Sequence, residues 1–208
     1  CPGSMKGAGA KARTLVEAAR RAGVRHIVYI SVVGADATPV NGPIDRAMFG
    51  YFAAKHAAER IIAESGIPWT TVRATQFHDL TFKTLEQLAK LPVMPVFGGM
   101  SFQPIDSGVV ADRLVELALD QPAGLVSPIG GPKVYPMDDL ARSYLAVTGR
   151  SKPIFGMPIF GAAARAQKRG VNLAPDRAIG GRTWEEFLAD RVGSARAERS
   201  DLSRSAAR

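Results

Sequence analysis

Apolar and polar positions change period repeatedly along the chain, and each change marks an element. From Lys11 to Ala22, Leu15, Val16, Ala18 and Ala19 gather on one side of a 3.6-residue repeat. This predicts an amphipathic helix stopped by Gly23. HIVYISVV (26–33) has almost no polar break and is rich in β-branched and aromatic residues, as expected of a strand covered on both faces. A Gly/Pro-rich loop (34–45) leads to a long helix from about Arg46 to Ser65, ended by Gly66 and Pro68. Trp69 to Ala74 repeats the buried-strand pattern, and 77–90 reads as a helix.

Prolines then interrupt the pattern. Short strands are expected near Val93–Phe97 and Phe102–Ile105. Asp106 or Ser107 should cap the helix VVADRLVELALD, and GLVSPIGG (124–131) should be a further short strand. MDDLARSYLAVTG (137–149) predicts a helix with an acidic first turn suited to the helix dipole. After a proline-rich stretch, 161–170 and 182–192 read as helical pieces. Strands alternating with helices predict an α/β, doubly wound parallel sheet of Rossmann type. The expected organisation is a main domain over 1–149, a smaller helical and proline-rich region over 150–190 packed on it, and a disordered basic tail over 191–208.

The 208 residues carry 46% hydrophobic and 22% charged positions, an ordinary globular balance. The net charge of +8 is unevenly spread: 12 basic against 6 acidic residues lie beyond position 149, against 15 and 13 before it. No recognition motif accompanies that excess, so a solvated surface is favoured over nucleic-acid binding. A single cysteine, Cys1, leaves no internal disulfide and points to a reducing, cytoplasmic setting. No apolar run reaches the ~18 residues of a membrane span. The three histidines are too scattered to predict a metal site.

The most informative pair is Tyr51 and Lys55, spaced Y-x-x-x-K on the helix between the two buried strands. Four residues apart, they share a helix face, where a lysine cation can lower the phenol pKa and prepare it for proton transfer. This strand–helix–strand resembles the short-chain dehydrogenase/reductase superfamily, and within it the atypical, NmrA-like branch that binds NAD or NADP. The resemblance covers residues 11 to about 145. It implies Tyr51 as the acid/base, Lys55 as the anchor of the nicotinamide ribose, and the turn Ala74-Thr75-Gln76-Phe77 along the nicotinamide. It also implies a departure. Active members place a Ser or Thr just past the preceding strand, whereas here Ser31 falls one residue early and Val32 occupies that position. One residue along a strand turns a side chain to the opposite face, so Ser31 reaches the site only if the strand end bends.

A dinucleotide fold also needs a strand–turn–helix with G-x-G-x-x-G or a near relative to hold the pyrophosphate, and none occurs here. The expectation is that upstream strands exist in the gene product and are missing from this sequence. Pro2-Gly3-Ser4-Met5 has the look of a cloning remnant.

Ligands in open α/β sheets bind at the carboxyl ends of the strands. Met48, Phe77, His78, Phe82, Phe102 and Gln103 are therefore the candidates for an apolar substrate pocket, with the proline-rich segment 151–175 as its cover. His78 beside Asp79 has the form of an oriented base, although Asp79 is better read as the cap of the helix that follows. Arg73, inside a buried strand, requires a carboxylate partner. These readings together predict an NAD(P)-dependent oxidoreductase acting on a small apolar carbonyl, quinone or enone. The alternative is a non-catalytic NAD(P)-sensing regulator or scaffold, which Val32 favours. In ordinary members of the superfamily the Tyr-bearing helix often forms a homodimer interface.

Overall fold

The computed structural model describes residues 5–193. Helix α1 (Met5–Arg21) leads into strand β1 (Ile27–Val32), followed by α2 (Pro43–Ala63) and strand β2 (Trp69–Ala74). β1 and β2 run parallel in register, Ile27 opposite Trp69 and Val32 opposite Ala74. A short β5 (Gly124–Leu125) continues the parallel order on the far side of β2, so the sheet reads β1-β2-β5. Among the described residues β1 pairs with β2 alone.

The sheet is covered on both faces, as the uninterrupted apolar strands require. On one face Ile27, Tyr29 and Trp69 pack against Val16 of α1 and Ile62 of α2. On the other, Val28, Ile30, Val72 and Ala74 pack with Val110 and Leu117 of α4 (Ser107–Leu119). This alternation sends Tyr29, Ser31 and Arg73 toward α2. The N-terminus of α4 is capped by Asp106, whose carboxylate accepts from the Gly108 amide at 2.8 Å.

A second layer is built from α3 (His78–Leu88), β3 (Met94–Phe97), α5 (Met137–Val147) and the helical residues 184–193. Leu85, Met94, Leu140, Tyr144, Trp184 and Phe187 form its core. β7 (Ile154–Met157) pairs parallel with β3. β4 (Ser101–Phe102) pairs antiparallel with β6 (Tyr135–Pro136). α6 (Ala162–Lys168) closes over α2, its Ala163 and Ala164 packed with Phe49, Met100 and Ile159.

The differences from the predicted elements have local causes where prolines are involved and a long-range one at β7. α2 begins three residues early because Pro43 fills its first turn, where the absent amide costs nothing. The strands expected at 102–105 and 124–131 are each cut short beside Pro104 and Pro128, which cannot donate to a ladder. Single bridges persist beyond, Phe77 with Ile105, Ala74 with Ile129 and Gly130 with Ala178. β7 lies in a proline-rich stretch that carries no strand pattern and exists because β3 offers it an edge. The expected disorder of the tail concerns 191–208, of which all but the first three residues lie outside the described residues, as does Cys1-Ser4.

Candidate active site

The ends of β1 and β2 and the first half of α2 enclose a cavity of about 240 Å³. Its sheet wall is Ile30, Ser31 and Val32 from β1 with Ala74, Thr75, Gln76 and Phe77 from the end of β2. The in-register pairing of Val32 with Ala74 makes the two strands stop level, which leaves the crevice. α2 supplies Met48, Phe49, Phe52, Tyr51 and Lys55, and the far side is Leu80, Phe97, Met100, Phe102 and Gln167. Lys55 is the one charged side chain in this lining.

Lys55 is held by name. Its ammonium donates to the Ile30 carbonyl at 2.9 Å, lies 4.9 Å from the Tyr29 ring centre and 5.9 Å from that of Tyr51. Burial pushes the Lys55 pKa down, and Glu59 one turn along α2 opposes that shift. One of three N–H donors is spent on Ile30, so two remain for a ligand.

Tyr51 stands at the cavity mouth, 56% exposed, with its ring edge-on to Phe52. Partial burial against the cavity raises the phenol pKa even so. The lowering expected from Lys55 is not found, because the cation leans toward Tyr29 instead. Tyr29 was not anticipated, yet the strand alternation that faces it toward α2 is visible in the sequence. Its own phenol is raised to about 12, by burial first and then by Tyr51 and Glu59.

Ser31 lies in the cavity wall, but its strand position turns the hydroxyl toward α2. There it sits beside Glu59 and helps hold that carboxyl low without making a hydrogen bond of good geometry. Val32 occupies the end of the strand. The two strand-end side chains after it are structural: the Thr75 hydroxyl donates to the Gln103 carbonyl and accepts from the Gly131 amide, and Gln76 bonds the Gln103 amide and the Asn172 carbonyl.

Three expected pocket residues lie elsewhere. His78 is 1% exposed and stacked against Phe187 and Trp184, with Nε2 bonded to the Arg182 carbonyl at 2.8 Å. Burial lowers its pKa and keeps it neutral. Phe82 packs edge-on to Tyr144 and Phe187 in the second layer. Gln103 is buried and bonds the Gly131 and Ala174 carbonyls and the Ala174 amide, fixing the loop before α4. α3 starts at His78 and so turns His78 and Phe82 away from the strand ends. Met48, Phe77 and Phe102 do line the cavity.

The cover comes from the expected segment. Gln167 of α6 donates to the Thr38 hydroxyl, which in turn donates to the Gly34 carbonyl, tying the turn after β1 to the C-terminal region. Gly34 has φ +85°, and a Cβ there would stand 2.6 Å from the Val171 carbonyl oxygen. Only glycine allows that approach.

The donor set fits the nicotinamide-ribose end of a dinucleotide: a lysine with two free N–H bonds and a tyrosine hydroxyl beside an apolar recess. Among the described residues no group of three or more His, Cys, Asp or Glu side chains is placed to hold a metal ion, and no helix is long and apolar enough to cross a membrane.

A family model described as NAD(P)H-binding matches residues 3–121, more than half of the chain. The protein therefore belongs to the NAD(P)H-binding family, and its cofactor is NAD or NADP. Among solved structures, an NADPH-dependent quinone oxidoreductase from Escherichia coli is similar over 91% of this chain and 80% of its own, at 14% identity and TM-score 0.65. The same enzyme complexed with NADPH gives 16% identity, 86% and 70% coverage and TM-score 0.66. A UDP-glucose 4-epimerase from Thermus thermophilus in complex with NAD gives 15% identity, 88% and 69% coverage and TM-score 0.58. At these identities the likeness concerns the fold. A search among curated proteins returns no match.

Proposed function

We propose that the protein is an NAD(P)H-dependent oxidoreductase of the atypical short-chain dehydrogenase, NmrA-like type, acting on a small apolar carbonyl, quinone or enone. The observation that carries this reading is the composition of the cavity. Tyr51 and Lys55 are joined there by Met48, Phe49, Phe52, Phe77, Phe97, Met100 and Phe102. An uncharged ring of modest size is the ligand such a lining favours, with a few polar groups fixing its orientation.

When bound, the dinucleotide supplies the hydride. Lys55 holds the ribose hydroxyls with its two free N–H donors, and the Ile30 carbonyl keeps its ammonium in place. Tyr51 donates a proton to the substrate oxygen; it is protonated at neutral pH, and the upward shift that burial imposes works against donation rather than for it. The apolar wall excludes water around the reacting carbon. Turnover of NADPH with a small naphthoquinone, compared between the protein and Tyr51→Phe, tests the assignment.

The second reading is an NAD(P)-sensing protein without turnover. It is favoured by Val32 at the strand end and by the Ser31 hydroxyl facing Glu59, which leave the substrate oxygen with Tyr51 as its main donor. Tight NADPH binding with no consumption by any quinone or enone would establish it.

A further inference from the structure

Arg73 lies on the α2 side of β2, opposite Ser31 in the strand register and directly before the Ala74–Phe77 wall. Its guanidinium forks onto Glu59, with Nε at 2.9 Å and one terminal nitrogen at 2.7 Å from the two carboxylate oxygens. The other terminal nitrogen lies 2.8 Å from the Asp36 carboxylate. Side-chain exposure is 14% for Arg73 and 9% for Glu59. A planar fork on a carboxylate fixes direction as well as distance, which a lysine in its place would not.

The partners are placed so that this matters to the cavity. Tyr51, Lys55 and Glu59 follow one another at four-residue spacing along one face of α2. Asp36 stands in the turn just after β1. None of Arg73, Glu59 and Asp36 lines the cavity, yet each adjoins a segment that does. A lysine amine stands far from its helix axis, so a small roll of α2 displaces Nζ enough to lose the Ile30 bond.

We propose that Arg73 is a positioning residue: it locks the Tyr51–Lys55–Glu59 stripe of α2 to the strand that forms the opposite wall, and so holds Lys55 on the Ile30 carbonyl. The inference rests on the cavity reading above for its functional meaning, though the lock itself does not.

The rival account is a buried ion pair that serves stability alone. Arg73→Met leaves the buried Glu59 with only His56, 3.4 Å away, as an ion-pair partner among the described residues and is expected to lower Tm. The double variant Arg73→Met/Glu59→Met removes both charges and should regain much of that loss. Two readouts, taken well below each Tm, then decide. The first is acetylation of Lys55 by an N-hydroxysuccinimide ester, followed by peptide mapping. Its pH-independent rate, extracted from a pH series so that the charge lost with Glu59 does not enter, should rise severalfold in the double variant while other lysines react as before. The second is NADPH affinity, expected to weaken about tenfold, the loss that one released contact of ordinary strength produces. A double variant with unchanged Lys55 labelling overturns the lock. Faster labelling with unchanged NADPH affinity overturns its role at the site. Failure of the unmutated protein to bind NADPH would instead strike the cavity reading, and Lys55 labelling would still judge the lock.

Discussion

The Lys55 ammonium and the Ile30 carbonyl oxygen are 2.9 Å apart, a bond that ties the middle of α2 to the end of the strand beneath it. Through it the Y-x-x-x-K helix is fastened at the point where the sheet opens into a cavity. The cation lies over both rings but nearer Tyr29, at 4.9 Å, than Tyr51, at 5.9 Å. The chemistry expected of the site follows from that placement.

Tyr51→Phe keeps the ring that faces Phe52 and removes the proton donor. Turnover is expected to fall by roughly 10²-fold or more, while dinucleotide affinity stays within about twofold. Steady-state kinetics beside a binding titration separate the two. An unchanged kcat would remove Tyr51 from the chemistry.

The pH dependence has a definite sign. Burial lowers the Lys55 pKa from its ordinary 10.5, and raises that of Tyr51 from its ordinary 10.0. The lysine shift moves its loss of charge to lower pH and the tyrosine shift moves its loss of proton to higher pH. The alkaline limb of kcat/KM belongs to Lys55 and lies below pH 10.5. Lys55→Arg, which does not titrate there, should abolish this limb. A limb at the same pH in the variant would assign it elsewhere.

Leu80 lines the cavity yet is 54% exposed, so a charge can be placed there at little cost to folding. Leu80→Arg should change stability by no more than about 0.5 kcal/mol. It should raise KM for an apolar quinone severalfold, because the substrate must then lie beside a cation. Equal KM values would mean that the substrate does not use this wall.

His78 is a packing residue between Phe187 and Trp184. His78→Ala should cost about 1–3 kcal/mol of stability through the lost stacking and the orphaned Arg182 carbonyl. At a temperature where the variant is folded, kcat should equal that of the unmutated protein. A specific loss of kcat would restore His78 as a base.

Much of this fold was legible because the strands are short, apolar and separated by helices with clear stops. β1, β2, α3 and α5 fall within a residue or two of their patterns. What failed did so for reasons of long range. β7 has no pattern of its own and depends on an edge 60 residues earlier, Met94 pairing with Ile154. The cavity residues Met48, Phe77 and Phe102 were visible as large apolar groups near strand ends. His78, Phe82 and Gln103 looked the same in sequence, but the start of α3 and the aromatic stack send the first two elsewhere, and bonds to Gly131 and Ala174 hold Gln103. Gln167 carries no local signal at all; it reaches the site because α6 folds back over α2. The need of Arg73 for a carboxylate was plain from a charge in a buried strand, whereas its two partners required the structure.

The most direct test of the site is a fluorescence titration of NADPH and NADH into the protein and into Lys55→Met, which keeps the apolar stem and removes the ammonium. Saturable binding that weakens about tenfold in the variant is the expected result, the size of one lost charged contact. Equal affinity in the two proteins would mean that the dinucleotide does not meet Lys55, and that the cavity beneath Tyr51 is not its nicotinamide site.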